Sequence, residues 1–145
     1  DDAYLVLRGL RTMGVRLERQ SASALAIAHW LAARPQVARV MHPALESCPD
    51  HAIWKRDFSG ASGLFAFELT PQPQMRIRQM LQSLSLFGMG FSWGGYESLA
   101  APMNKNIMRT ATSWAPQGEV IRLSVGLEHV DDLIADLERA LSVLE

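Results

Sequence analysis

A chain of 145 residues, 48% hydrophobic and 20% charged with a formal charge of −1, has the size and apolar content of one domain with a substantial core. The near-neutral balance, without a basic run or interleaved aromatics, excludes the electrostatic footprint of a nucleic-acid binder. No apolar stretch approaches the roughly 18–20 residues that cross a bilayer and no signal-peptide pattern opens the chain, so a cytoplasmic setting is the expectation.

Residues 4–33 are predicted as one helix, with Ala24, Ile27, Ala28 and Leu31 forming an apolar stripe and Pro35 closing it. Residues 37–41 suit a short strand ended by His42-Pro43, residues 45–50 a loop, and residues 51–56 a short helix. Residues 63–69 read as a buried strand with Phe65, Phe67 and Leu69 on one face and Leu64 and Ala66 on the other. Pro71 and Pro73 open a helix over residues 74–82, and residues 84–91 return as a strand leading into Gly94-Gly95. Residues 101–119 read mostly as loop, and residues 120–127 as the last strand. The final helix has the clearest pattern: Leu133, Ile134, Leu137, Ala140, Leu141 and Leu144 recur at three- and four-residue steps, and Asp131 and Asp132 in its first turn suit the helix dipole. These elements predict an α+β layer in which helices cover one face of a mostly antiparallel sheet.

Few residues offer chemistry. Cys48, the single cysteine, can form no internal disulfide and no cysteine metal cluster. His29 and His42 read as packing or surface residues; no two histidines share a ligand spacing, so a metal is not expected. In the last strand Ile121, Leu123, Val125 and Leu127 alternate with Arg122, Ser124 and Gly126, which turns the arginine away from the helix-covered core. A guanidinium there serves a salt bridge or, through its rigid fork, holds both oxygens of a ligand carboxylate. Ser92 and Trp93, just before two glycines, serve either strand-end packing or the wall of a pocket.

The segments Phe91-Ser92-Trp93-Gly94-Gly95-Tyr96-Glu97-Ser98-Leu99 and Ile121-Arg122-Leu123-Ser124-Val125-Gly126-Leu127-Glu128 together resemble the C-terminal part of the pyridoxal-phosphate (PLP) enzymes of cysteine and methionine metabolism, a family of fold type I (aspartate aminotransferase-like), and within it the cystathionine beta-lyases. Arg8-Gly9-Leu10-Arg11-Thr12-Met13, with Arg16, matches another family segment of structural role. The resemblance implies that residues 1–145 form the small C-terminal domain of a longer polypeptide. The family's cofactor lysine lies in a Ser-x-Thr-Lys type motif with no match here. Lys55 and Lys105 sit in polar surroundings, and there is no glycine-rich phosphate loop. Catalysis and bound PLP are therefore not expected of this chain by itself.

By the same resemblance, Arg122 is the ligand of the substrate α-carboxylate, with Ser92 and Trp93 lining its pocket. The whole enzyme would cleave cystathionine, or a cystine-like substrate, to homocysteine, pyruvate and ammonia in methionine biosynthesis, as a homotetramer. Gamma-acting relatives, such as cystathionine gamma-synthase or methionine gamma-lyase, typically carry leucine where Trp93 stands; they remain the alternative within the family. A non-catalytic binding or assembly domain is the alternative outside it. Phe91 departs from the tyrosine common in bacterial beta-lyases, and Glu97 and Ser98 read as braces of the turn.

Overall fold

The computed structural model describes residues 1–103 and 107–145. Helices α1 (Asp2–Arg11) and α2 (Met13–Ala32) open the chain, followed by strand β1 (Val37–Met41), helix α3 (His51–Asp57), strand β2 (Leu64–Leu69) and helix α4 (Gln74–Ser83). Strands β3 (Gly88–Met89), β4 (Leu99–Pro102) and β5 (Val120–Ser124) precede helix α5 (Val130–Leu141), which ends in a 3-10 turn over Ser142–Leu144. The sheet order is β1-β2-β5-β4-β3, antiparallel throughout except for the short parallel pair β3–β4. No helix among the described residues is long and apolar enough to cross a membrane.

Register decides which side chains meet the helices. Phe65 pairs with Leu123 and Phe67 with Ile121, and all four are buried in the main core with Ile27 and Leu31 of α2, Ile77 and Met80 of α4, and Leu133 and Leu137 of α5. On the opposite face Leu64 pairs with Ser124, Ala66 with Arg122 and Glu68 with Val120, while Ala101 of β4 flanks Arg122 from its other side. The predicted α+β layer with helices on one face is the observed architecture, and the alternation of β5 is the predicted one through Ser124.

Four elements differ from expectation. The first helix is two helices, broken at Thr12 (φ −108°, ψ 6°), where the weak helix formers Gly9, Thr12 and Gly14 cluster and the Arg16 guanidinium donates to the Gly9 carbonyl and the Thr12 hydroxyl. The structural role expected of Arg16 is this brace. The predicted strand over residues 84–91 shrinks to Gly88–Met89 because the N–H groups of Ser85, Leu86 and Phe87 donate to the Asp136 carboxylate and not to a ladder. Within the predicted loop over residues 101–119, Ala101 and Pro102 instead close β4, whose Leu-Ala-Ala-Pro sequence shows no strand pattern of its own. Finally, β5 stops at Ser124, and Leu127, expected on the core face, is exposed. Lys105 lies outside the described residues.

His42 is buried beside Phe65, its Nδ1 accepting the Ala44 N–H at 3.2 Å while its Nε2 has no partner. Burial, then the neighbouring His29, lowers its pKa below 6.5, so the folded state holds a neutral imidazole. Its contribution to stability is therefore complete above pH 6.5 and is lost as pH falls through the lowered pKa, because the unfolded chain takes up the proton first. Denaturant titrations across pH 7 to 5 should show this dependence, with a slope of at most about 1.4 kcal/mol per pH unit for the one proton. His42→Gln should flatten it, and an equal slope in the variant would assign the effect to another group.

Candidate functional site

The polar face of the sheet is shallow around Arg122 because its cross-strand neighbours are the small residues Ala66 and Ala101. The guanidinium lies along this gap toward the segment that follows β3. Its Nη2 donates to the backbone carbonyls of Gly90 at 3.4 Å and Ser92 at 3.3 Å, both at the long end of hydrogen bonding, and its Cζ sits 5.6 Å from the centroid of the Phe91 ring. Its Nε is buried with no hydrogen-bond partner. Among the described residues Arg122 forms no ion pair, whereas Arg39, Arg56 and Arg139 each hold a carboxylate. The guanidinium is thus a cation half withdrawn from water, with weak carbonyl partners and an N–H left without a partner among the described residues.

The salt bridge that periodicity alone allows for Arg122 is thus absent among the described residues. Phe91 offers its ring where a tyrosine would add a hydroxyl, and its contact with Arg122 is a cation–π contact.

The turn over residues 91–97 is exposed along its length, yet its backbone is tied down at several points. Gly94 has φ +77°, which only glycine adopts without strain, and its N–H donates to the Ser124 hydroxyl at 3.2 Å. The buried amide of Gln20 in α2 donates to the Gly95 carbonyl at 2.5 Å, and the Leu127 N–H donates to the Tyr96 carbonyl at 2.8 Å. Ser98 follows as a buried anchor. Its N–H and its hydroxyl each donate to a Glu128 oxygen at 2.8 Å, and its hydroxyl oxygen accepts the Gly126 N–H at 2.8 Å. A Cβ at Gly126 would run into the Tyr96 carbonyl oxygen and Glu128 Oε2, so the close approach requires glycine there.

The structure brings Ser92 to Arg122 through its backbone carbonyl, while its side chain is exposed. Trp93 is 65% exposed and stands over a neighbouring pocket of about 270 Å³, lined also by Met13, Arg16 and Leu17 of α2 and by Ser124 and Val125. Arg122 is not part of that lining; Ser124, two residues along β5, connects the two places. Ser98 braces the turn as expected, and Glu97 is exposed.

On the far side of Arg122 the buried carboxylate of Glu68 accepts the N–H groups of Gln117 at 2.6 Å and Gly118 at 3.1 Å and pairs with Arg39 at 2.7 Å. Burial opposes its charge, but the Gly118 and Gln117 N–H groups and Arg39 outweigh it and keep the pKa below the ordinary value. Glu68 thereby fixes the approach to β5. Sequence reasoning missed Glu68, Gln20 and Glu128; Glu68 is a charged residue set among the apolar residues of a strand, which is the signal that could have found it, whereas Gln20 stands in a polar stretch of its helix.

Comparison with known proteins then decides the family. The Cys/Met metabolism PLP-dependent enzyme family matches residues 1–142. The chain belongs to this family. It is 54% identical over 143 residues to a putative cystathionine beta-lyase of Rhizobium johnstonii, covering 96% of this chain and 36% of the relative. It is 50% identical over 145 residues to the cystathionine beta-lyase of Escherichia coli, covering 95% of this chain and 36% of that protein. Among solved structures, the cystathionine gamma synthase of Xanthomonas oryzae pv. oryzae, in complex with aminoacrylate and cysteine, superposes with a TM-score of 0.87 at 34% identity, over 99% of this chain and 38% of that one. The chain thus spans a little over a third of the length of these relatives.

Lys55 is exposed on α3, where it lines a hollow with His29, Glu46 and His51, apart from Arg122 and from the pocket under Trp93. No lysine stands beside the unpartnered Arg122 Nε among the described residues to hold an aldehyde cofactor.

Proposed function

We propose that this chain is the C-terminal, substrate-carboxylate-binding domain of a PLP-dependent carbon–sulfur lyase acting on cystathionine. The reading rests on one observation above the others: Arg122, in the family's carboxylate-binding motif, has no acidic partner among the described residues and an unpartnered buried Nε. The fork would take both oxygens of an amino-acid carboxylate, so that the rest of the substrate is held in one orientation. Ser92 and Trp93 would bound the site from the turn, and Phe91 would cover the guanidinium. Bond cleavage itself belongs to the cofactor and to the lysine that binds it, in the part of the family fold that this chain does not span. Assembly as a homotetramer and a cytoplasmic location follow from the resemblance alone and are open to sedimentation and fractionation.

The fold does not separate beta from gamma chemistry, since a gamma synthase superposes on it closely. Trp93 does so on the reading proposed here. Its ring is mostly exposed and holds little of the core, so Trp93→Leu in the complete enzyme should change product choice more than folding. Assay of pyruvate against 2-oxobutyrate from cystathionine is the test. The expected wild-type product is pyruvate, with a larger 2-oxobutyrate share in the variant. An unchanged ratio would reduce Trp93 to a surface side chain, and no turnover by the complete protein would favour a binding or assembly domain.

A further inference from the structure

Residues 91–97 carry the proposed substrate contacts but are exposed, so something outside the turn must hold their position over Arg122. Ser98 is where that hold is concentrated. Its carbonyl accepts the Gly88 N–H at 3.0 Å, which closes the base of the turn, while its N–H and hydroxyl are both taken by Glu128 and its hydroxyl oxygen receives Gly126. Every polar group of Ser98 is used, and it is 1% exposed. Glu128 and Gly126 lie just beyond the end of β5, the strand that presents Arg122. One carboxylate therefore couples the strand of the cation to the turn of Ser92 and Trp93.

We propose that Glu128, acting through Ser98, is a positioning residue for the carboxylate site: it sets the separation and tilt between Arg122 and the turn over residues 91–97. The inference rests on the assignment of Arg122 to a carboxylate. The chemistry selects glutamate. Two acceptor oxygens are needed for the N–H and the O–H of one serine, and the hydroxyl must point its proton at the carboxylate so that its lone pair can receive the Gly126 N–H. Glutamine offers one acceptor and a donor, which leaves one of the two serine donors facing an N–H. Aspartate is one methylene too short to span the same gap. Glu128 itself touches no reacting atom in this arrangement, so its effect is on geometry.

The test uses the complete enzyme. Glu128→Ala is expected to lower kcat/KM by as much as about 100-fold, chiefly through KM, since a displacement on the order of 1 Å at a binding group has effects of that size. Glu128→Gln and Ser98→Ala, which each keep part of the bracket, should raise KM several-fold, and the two combined should be little worse than the more damaging single change, because both break one network. Hydrogen exchange should quicken at the amides of residues 94–98 and stay slow in β5. Val40→Ala, which opens a cavity in the core beside β1, at the opposite edge of the sheet from β3, serves as the stability control and should leave KM unchanged. The proposal is overturned if KM in the Glu128 and Ser98 variants is unchanged or moves no more than in that control. It also falls, together with the carboxylate reading, if Arg122→Leu leaves kcat/KM intact. A large loss in Arg122→Leu with none in the Glu128 variants removes only the positioning role.

Discussion

Arg122→Leu in the complete enzyme should depress kcat/KM by two to three powers of ten while leaving the fold and the bound cofactor nearly unchanged. Removing one member of a desolvated, hydrogen-bonded charge pair costs about 2–5 kcal/mol, and each 1.4 kcal/mol is about tenfold. The middle of that range applies here because the substrate's carboxylate would lose both hydrogen bonds of the guanidinium fork at once. Folding is insulated from the change. Arg122 lies on the polar side of β5 between Ala66 and Ala101, whereas Ile121 and Leu123 carry that strand's packing on the other side. Its hydrogen bonds to the Gly90 and Ser92 carbonyls are long and should be replaced by water. Arg122→Lys should recover only part of the loss, since an ammonium restores charge without the two-pronged geometry. Steady-state kinetics on both variants, with absorbance to confirm bound PLP, supplies the measurement. Near-normal kcat/KM in Arg122→Leu would remove the proposed carboxylate site.

Much of the layer is legible in the sequence where one physical rule dominates. The stripe of Ala24, Ile27, Ala28 and Leu31 marks α2 because a helix against a sheet must be apolar every three or four residues, and the alternation through Ile121-Arg122-Leu123 fixes both the β5 strand and the side on which Arg122 lies. What sequence patterns miss is settled by partners distant in the chain. Residues 84–91 have strand-like composition, but three of their amides are taken by Asp136 about fifty positions later, so most of the segment has no ladder to join. Leu99–Pro102 shows little strand preference and becomes β4 because β5 offers it an edge. The candidate site divides in the same way. Arg122 and the Ser92-Trp93 turn stand out as motifs, whereas the Ser98–Glu128–Gly126 bracket joins positions with no shared periodicity and emerges only when the strands are placed.

Asp136→Ala should cost about 3–5 kcal/mol of unfolding free energy, the largest stability effect expected of a single substitution among the polar residues described. Asp136 occupies the apolar stripe of α5, one turn from Leu133 and Ala140, and is 1% exposed. Its carboxylate accepts the N–H and hydroxyl of Ser85 and the N–H groups of Leu86 and Phe87 at 2.9–3.2 Å, and it pairs with Arg139. Alanine would fill the helix position well but leave these backbone donors without their acceptor, and the Phe87 N–H lies in a buried residue where water does not readily replace it. Asp136→Asn keeps one acceptor oxygen and should cost roughly half as much. Burial works against the charge, yet the donors of Leu86, Ser85 and Phe87 outweigh it and hold the pKa below 3.8. The stabilisation from ionisation is thus complete above pH 3.8 and is lost as pH falls through the lowered value, so the wild-type acid limb should be steeper than that of Asp136→Ala. Denaturant titrations at pH 7 and at pH 3 measure both effects. A loss below 1 kcal/mol at pH 7 would mean that residues 84–87 find other acceptors, and the short β3 would then need another cause. Because Gly88 and Gly90 follow that segment directly and form the base of the Ser92-Trp93 turn, the same carboxylate that replaces a strand with a clamp also fixes where the turn begins.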